Sequence, residues 1–179
     1  MWDLIIQRFV DGVMAFPALI LALTIVTLMG KGFTVGGAQA NVVLSIAIVL
    51  IPVTTRVVRG SALSVKENVY VDAARSLGAS DMRIMSRHVL PNVAHVIIIL
   101  GATYLGAAIL LESTLSFLHQ GTAIGQPSWG NMLATSRTTL ESHQQLLWSP
   151  TIAVSLAILA FNLLGDALRD VWDPRLRNT

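Results

Sequence analysis

The sequence predicts an all-α polytopic membrane protein with four transmembrane helices, on three observations. Of its 179 residues, 54% are hydrophobic and only 12% are charged, about half the charge of an average soluble domain. The charges leave four long stretches almost empty. The Lys and Arg residues then gather on alternate connections between those stretches. Mean hydropathy is +0.67. Four such stretches leave too little polar chain to enclose them as the core of a soluble protein. The sequence has no cysteine, which excludes a disulfide framework, thiolate metal sites and cysteine nucleophiles. A net charge of +2 is too small and too scattered for a nucleic-acid binder.

The first span is predicted over 12–30, GVMAFPALILALTIVTLMG, with no charge. It lacks the basic flank and small-residue cleavage site of a signal peptide. The second is predicted over 38–55, the third over 93–111 with His95 as its one ionisable group, and the fourth over 148–165. Each approaches the length of about 20 residues that crosses a hydrocarbon core. With both termini in the cytoplasm, ten of the 12 Lys and Arg residues fall on the inner side, and Lys31 and Arg137 fall outside. The positive-inside rule selects that orientation.

The connection 56–92 is long and polar. In 66–77, Val69, Ala73 and Leu77 recur four apart on one helical face. Gly78 stands where a helix closes in the left-handed conformation that glycine adopts cheaply. Ser80 or Asp81 can cap a second short helix, 82–89, which Pro91 is expected to end. The pattern predicts a helix–turn–helix along the cytoplasmic face. Periodicity alone leaves two roles equally open: anchoring to anionic lipid through its arginines, and docking on another protein.

No G-x-x-x-x-G-K-[ST] phosphate loop occurs, nor an H-E-x-x-H or a nucleophile elbow. His88, His95, His119 and His143 lack metal-ligand spacing. Ionisable groups in or near a span point to a translocation path, which makes His95 and Glu112 candidate pathway residues; both can also snorkel to an interface. Asn162 and Asp166 lie four apart and can pair across to another helix. Pro17 and Pro52 are expected to kink the first and second spans. Gly101, Ala102, Gly106, Ala107 and Ala108 give the third span a small-residue face, read as a subunit interface. In the outer segment 112–147, Phe117, Leu118, Trp129, Met132 and Leu133 suggest short amphipathic elements, and Trp129 and Trp148 equally suit interface anchoring.

Asp72-Ala73-Ala74, three residues, Gly78, nine residues, His88, one residue, Leu90-Pro91 resembles the EAA loop of ABC-transporter permeases of the binding-protein-dependent importers. Asp72 stands for glutamate and His88 for isoleucine. The stretch YVDAARSLGASDMRIMSRHVLPN is similar to the peptide/nickel (dipeptide/oligopeptide) subclass. MAFPALILAL, LLESTLSFL, PSWGNML, AFNLLGDALRD and DPRL support it in the same order.

The resemblance implies one transmembrane permease domain, residues 1–179, of a multi-pass protein in a bacterial or archaeal cytoplasmic (inner) membrane. It implies a pathway for peptides or a related small solute such as nickel. Asp72, Ala73, Ala74, Gly78, Leu90 and Pro91 would form the loop that couples to separate ATP-binding subunits. The implied partners are those subunits, a second homologous permease subunit, an extracytoplasmic substrate-binding protein and the lipid bilayer. ATP would be bound by the partners, with no cofactor in this chain and no enzymatic activity of its own. Family members have about six spans, so the chain is expected to lack two N-terminal helices. The alternatives are a non-functional truncated remnant or a membrane scaffold. A half-unit of an ion-driven transporter would need acidic residues at mid-span, and the four spans have none.

Overall fold

The structure, a computed structural model, describes residues 2–30, 34–35, 38–123, 126–139 and 143–172. It is helical almost throughout. The helices are α1 (Trp2–Met14), α2 (Ala18–Met29), α3 (Ala40–Lys66), α4 (Val69–Ser76), α5 (Asp81–Ile84), α6 (Leu90–Phe117), α7 (Trp129–Thr138) and α8 (Gln145–Trp172). Between α2 and α3, Thr34–Val35 pairs antiparallel with Ala38–Gln39. Among the described residues, three helical stretches are long and apolar enough to cross a membrane, or four if α1 and α2 together make one bent span. The polytopic all-α architecture is therefore the one the composition predicts. Lys31, Arg175 and Arg177 lie outside the described residues.

The helices run past the apolar stretches that announced them. The second span, expected over 38–55, continues in α3 to Lys66, carrying Arg56 and Arg59 on the same helix. Hydropathy marks the part of a helix that suits lipid; helical geometry persists while backbone hydrogen bonds can still be made. The third stretch is helical without interruption from Asp81 to Phe117, and the fourth spans Gln145–Trp172.

Residues 12–30 are not one helix. The chain turns by 94° between α1 and α2, the bend expected at Pro17, so the stretch is two helices. Pro17 lacks a backbone N–H and disfavours helical geometry at Phe16 before it. Its φ of −57° and ψ of 129° make it the entry residue of α2. The 12 residues of α2 reach about 18 Å at 1.5 Å per residue, well short of a hydrocarbon core. Helix α1 is amphipathic and lies across the end of α3, where Val10 is buried. The Arg59 guanidinium donates twice to Asp3, at 2.7 and 2.6 Å, and Arg56 donates to Asp11 at 2.6 Å. These groups are exposed, so each pair orients more than it stabilises. Reversing Arg59 to aspartate is expected to release α1 and speed its proteolysis. The double change Asp3→Arg with Arg59→Asp is expected to restore protection. Equal cleavage of the wild type and the single variant would show that the pair does not hold α1.

The core joins α2, α3 and α6 through Ala22, Val26, Val42, Ile46, Val49 and Leu115. Helix α8 packs antiparallel on α6 through small residues. A Cβ on Gly106 would sit 2.9 Å from Asn162 Oδ1, and one on Gly165 would sit 2.9 Å from Thr103 Oγ1. Lipid gives helices no hydrophobic reason to associate, so close backbone approach supplies the packing. Gly106 thus packs on α8 inside the chain, while Gly101 of the same small-residue face meets nothing within 4 Å. The Asn162 side chain lies against α6 at Gly106.

Pro150 lies within α8, fully buried, a position the sequence reading passed over. Proline at 150 leaves the Leu146 carbonyl without its helical donor. The Ser136 hydroxyl of α7 stands 3.0 Å from that carbonyl. It is also 2.8 Å from its own Met132 carbonyl, so one proton serves two acceptors.

Candidate functional site

Two regions at opposite ends of the bundle carry the candidate residues. The first is the hairpin at the basic end. Helix α4 closes at Leu77, and Gly78 follows with φ +80°. Gly78 N–H donates to the Arg75 carbonyl at 2.9 Å, and Ala79 N–H to the Ala74 carbonyl at 3.1 Å. This pair of bonds is the Schellman closure. An L-residue in that conformation is strained, which explains glycine here. Ser80 then caps α5, its Oγ accepting from Arg83 N–H at 3.4 Å.

The second limb departs from expectation. Pro91 does not end a helix. Residues Met85–Val89 form one π turn, and the helix continues through Leu90 and Pro91 into α6. Widening one turn accommodates the proline ring and its missing donor within a continuing helix. Asn92 Nδ2 satisfies the His88 carbonyl at 2.7 Å. The helix–turn–helix therefore has a second limb that is the root of a membrane span. His88 is half-buried, its ring 6.1 Å from that of Tyr70, joining the two limbs. Sequence reading gave no sign of this contact. The only available cue to the π turn was proline four residues after Arg87 in a stretch otherwise suited to helix.

Val71 and Ile84 are buried and seat the hairpin on the bundle. The face predicted from Val69, Ala73 and Leu77 points outward: Val69 is 83% exposed and Leu77 89%. Met82, Met85 and Leu90 are exposed beside it. Asp72 is exposed in the first turn of α4, with only a 3.7 Å contact to Arg75. Ala73 and Pro91 are exposed and Ala74 is half-buried. The hairpin thus offers a small apolar surface flanked by the exposed carboxylates of Glu67, Asp72 and Asp81, on a stiff base.

The second region closes the other end of α6. The Ser116 hydroxyl donates to Glu112 Oε1 at 2.6 Å and accepts from Thr122 N–H at 3.0 Å. Asn131 Nδ2 reaches Thr122 Oγ1 at 3.0 Å and the Gln126 carbonyl at 3.2 Å. Ser128 caps α7, its Oγ accepting from Asn131 N–H at 3.0 Å. Glycines permit this closeness. A Cβ on Gly121 would fall 2.0 Å from Ser116 Oγ, and one on Gly130 2.3 Å from the Ser113 carbonyl. Helix α7 carries Trp129, Met132 and Leu133, within the outer segment where short amphipathic elements are expected. His95 is half-buried near the start of α6. It lies 17 positions from Glu112, about 25 Å along the helix, so the two candidate pathway residues share no site.

The model of one family, described as the binding-protein-dependent transport system inner membrane component, matches residues 1–178. The chain belongs to this family. As a member of the binding-protein-dependent transport components, it contains both regions within the matched span. It is 39% identical over 176 residues to the glutathione transport system permease protein GsiD of Shigella flexneri and to that of Escherichia coli. The alignment takes in 98% of this chain and 56% of each relative, so the chain spans little more than half their length. Among the described residues no group of three His, Cys, Asp or Glu side chains is placed to hold a metal ion.

Proposed function

We propose that this chain is a permease subunit of an ABC importer that carries small peptides, coupled through the 66–91 hairpin to separate ATP-hydrolysing subunits. The observation that carries the coupling is the hairpin's outward face. Val69, Leu77 and Met82 stand exposed on a hairpin whose second limb, from Asp81, continues unbroken into α6. A subunit with no phosphate loop in its sequence must receive its energy mechanically, through an element gripped at both ends. Buried Val71 and Ile84 supply one grip, and the apolar tip offers the other. Docking on protein is favoured because Val69, Leu77 and Met82 give the tip an exposed apolar surface; the hairpin's exposed Lys66, Arg75, Arg83 and Arg87 suit anionic lipid beside it.

The peptide assignment rests on relatives named for glutathione transport, glutathione being a tripeptide. The further partners are a second permease subunit and an extracytoplasmic binding protein. The basic ends of α3 and α8 and the hairpin lie on one side of the bundle, which supports a cytoplasmic hairpin and C-terminus.

Because the chain has no cysteine, single thiols report contacts cleanly. A Leu77→Cys variant in native membranes is expected to cross-link to the ATP-hydrolysing subunit, and Trp148→Cys at the opposite end is not. Co-purification of that subunit without any cross-link from Leu77→Cys would overturn the docking face.

A further inference from the structure

At the end of the bundle away from the hairpin lies a cavity of about 540 Å³, within the range of small-molecule sites. The end of α2 at Gly30, the start of α3 at Gln39 and Asn41, and the turn from His119 to Thr122 line it. We propose that this cavity is a binding subsite for a small peptide-like solute, held through the solute's N–H donors. The inference rests on the transport reading above and extends it to a place in the chain.

Asn41 is only 3% exposed. Its Nδ2 donates to the Gly30 carbonyl at 2.7 Å, which fixes the side chain and the turn together. Its Oδ1 is buried with no partner among the described residues. A buried acceptor left unmet destabilises the fold, so its retention at a cavity wall points to a donor brought by something that binds there.

His119 is a second, independent sign. It occupies the closing position of α6 with φ +60°. Its N–H donates to the Ser116 carbonyl at 3.0 Å, and Gln120 N–H to the Leu115 carbonyl at 2.9 Å. Gly78 fills the same position in α4 at no strain. Histidine there is strained, and the closure itself gains nothing from the imidazole, which lines the cavity. The remaining polar side chains of the lining are Thr27, Gln39, Gln120 and Thr122. No Asp, Glu, Lys or Arg is among the described lining residues. A wall of amides, hydroxyls and one imidazole suits a solute with as many N–H and C=O groups as a short peptide.

The test uses the transporter assembled from this chain and its partner subunits in native membranes. Gln120→Cys is labelled from outside with a membrane-impermeant maleimide, with Thr135→Cys on α7 as reference. The probe is S-methylglutathione, whose blocked thiol spares the reagent. Its presence is expected to slow labelling of Gln120→Cys at least threefold and to leave Thr135→Cys unchanged. Adding Asn41→Leu is expected to abolish that protection.

Asn41→Leu also removes the bond to Gly30, so a second variant separates binding from folding. His119→Gly relieves the backbone and removes the imidazole. It is expected to cut protection severalfold with the melting temperature unchanged or raised. Full protection in both variants would overturn the subsite. Absence of protection while S-methylglutathione is still taken up would also overturn it and leave the transport reading standing. Failure to take up S-methylglutathione or any dipeptide would overturn the transport reading, and the subsite with it.

Discussion

Replacing Gly78 with leucine is expected to abolish solute-stimulated ATP hydrolysis by the assembled transporter while the chain still inserts and folds. The two effects separate because Gly78 is free of neighbours. A Cβ built on it meets nothing within 4 Å, so leucine clashes with nothing in the chain. The folding cost is the left-handed backbone alone, about 1–2 kcal/mol for an L-residue. Docking fares differently. Gly78 follows the most exposed apolar residue of the tip, Leu77, and a partner surface fitted to glycine would meet four added carbons. Gly78→Asn makes the informative comparison, since asparagine tolerates this conformation better. It is expected to keep part of the stimulated activity. The measurement is ATP hydrolysis with and without loaded binding protein, beside the amount of chain in the membrane. Full stimulation in Gly78→Leu would rule out the hairpin tip as the coupling contact.

Gly130→Ala is expected to be strongly destabilising, exceeded in the outer region only by Gly121→Ala, whose Cβ would lie 2.0 Å from Ser116 Oγ and 2.4 Å from Ser116 N. The added carbon would lie 2.3 Å from the Ser113 carbonyl, 2.6 Å from Ser116 Cβ and 3.0 Å from Phe117 N. Two of those atoms are backbone in the last turns of α6 and cannot swing aside. Overpacking costs typically 1–3 kcal/mol and occasionally more; here about 3 kcal/mol or more is expected, because α7 must lift off α6. Lifting it breaks the Asn131 contacts to Thr122 and Gln126 and the Ser136 contact to Leu146.

Two other glycines calibrate the result. Gly106→Ala meets the Asn162 side chain at 2.9 Å, a group with rotamers to yield, and should cost less. Gly101→Ala meets nothing within 4 Å and should be neutral or slightly stabilising, because glycine is the poorer helix former by about 1 kcal/mol. Melting temperatures in one detergent should therefore rank Gly130→Ala lowest, then Gly106→Ala, then Gly101→Ala. A Gly130→Ala protein as stable as the wild type would show that α7 is not seated on α6 in this way.

The parts of the fold legible in the sequence are those set by local chemistry. Gly78 closes α4 and Ser80 caps α5 because each acts through its own backbone and its nearest neighbours. The membrane helices were legible for a related reason, since lipid imposes one rule over long stretches. Proline was legible in part. The bend expected at Pro17 is present as a 94° turn between two helices, whereas Pro91, expected to end a helix, is absorbed by a π turn and Pro150 by a neighbouring serine. A proline's effect depends on which neighbour can take up the carbonyl it leaves free, and that neighbour is tertiary. The small-residue face of α6 is legible as a closely packing face, but composition does not say that Gly106 packs on α8. Of the hairpin residues, Gly78 takes the turn its spacing predicts, and Leu90 and Pro91 continue a helix that Pro91 is expected to end. His95 and Glu112 lie near opposite ends of one helix, as the sequence places them. Asn41 and His119 drew no such attention, because an unmet acceptor and a positive φ exist only in three dimensions.

The uninterrupted helix from Asp81 to Phe117 has a mechanical meaning. Its 37 residues make a rod of about 55 Å, rooted in the hairpin at one end and in the Ser116–Thr122 turn at the other. Rocking such a rod by about 5° around its middle would carry each tip some 2 Å in opposite directions, on the helix length just given. A push at the hairpin thus arrives at the far turn reversed in sense and nearly undiminished. The π turn at Met85–Val89 is the one place along the rod where that push could be lost as bending.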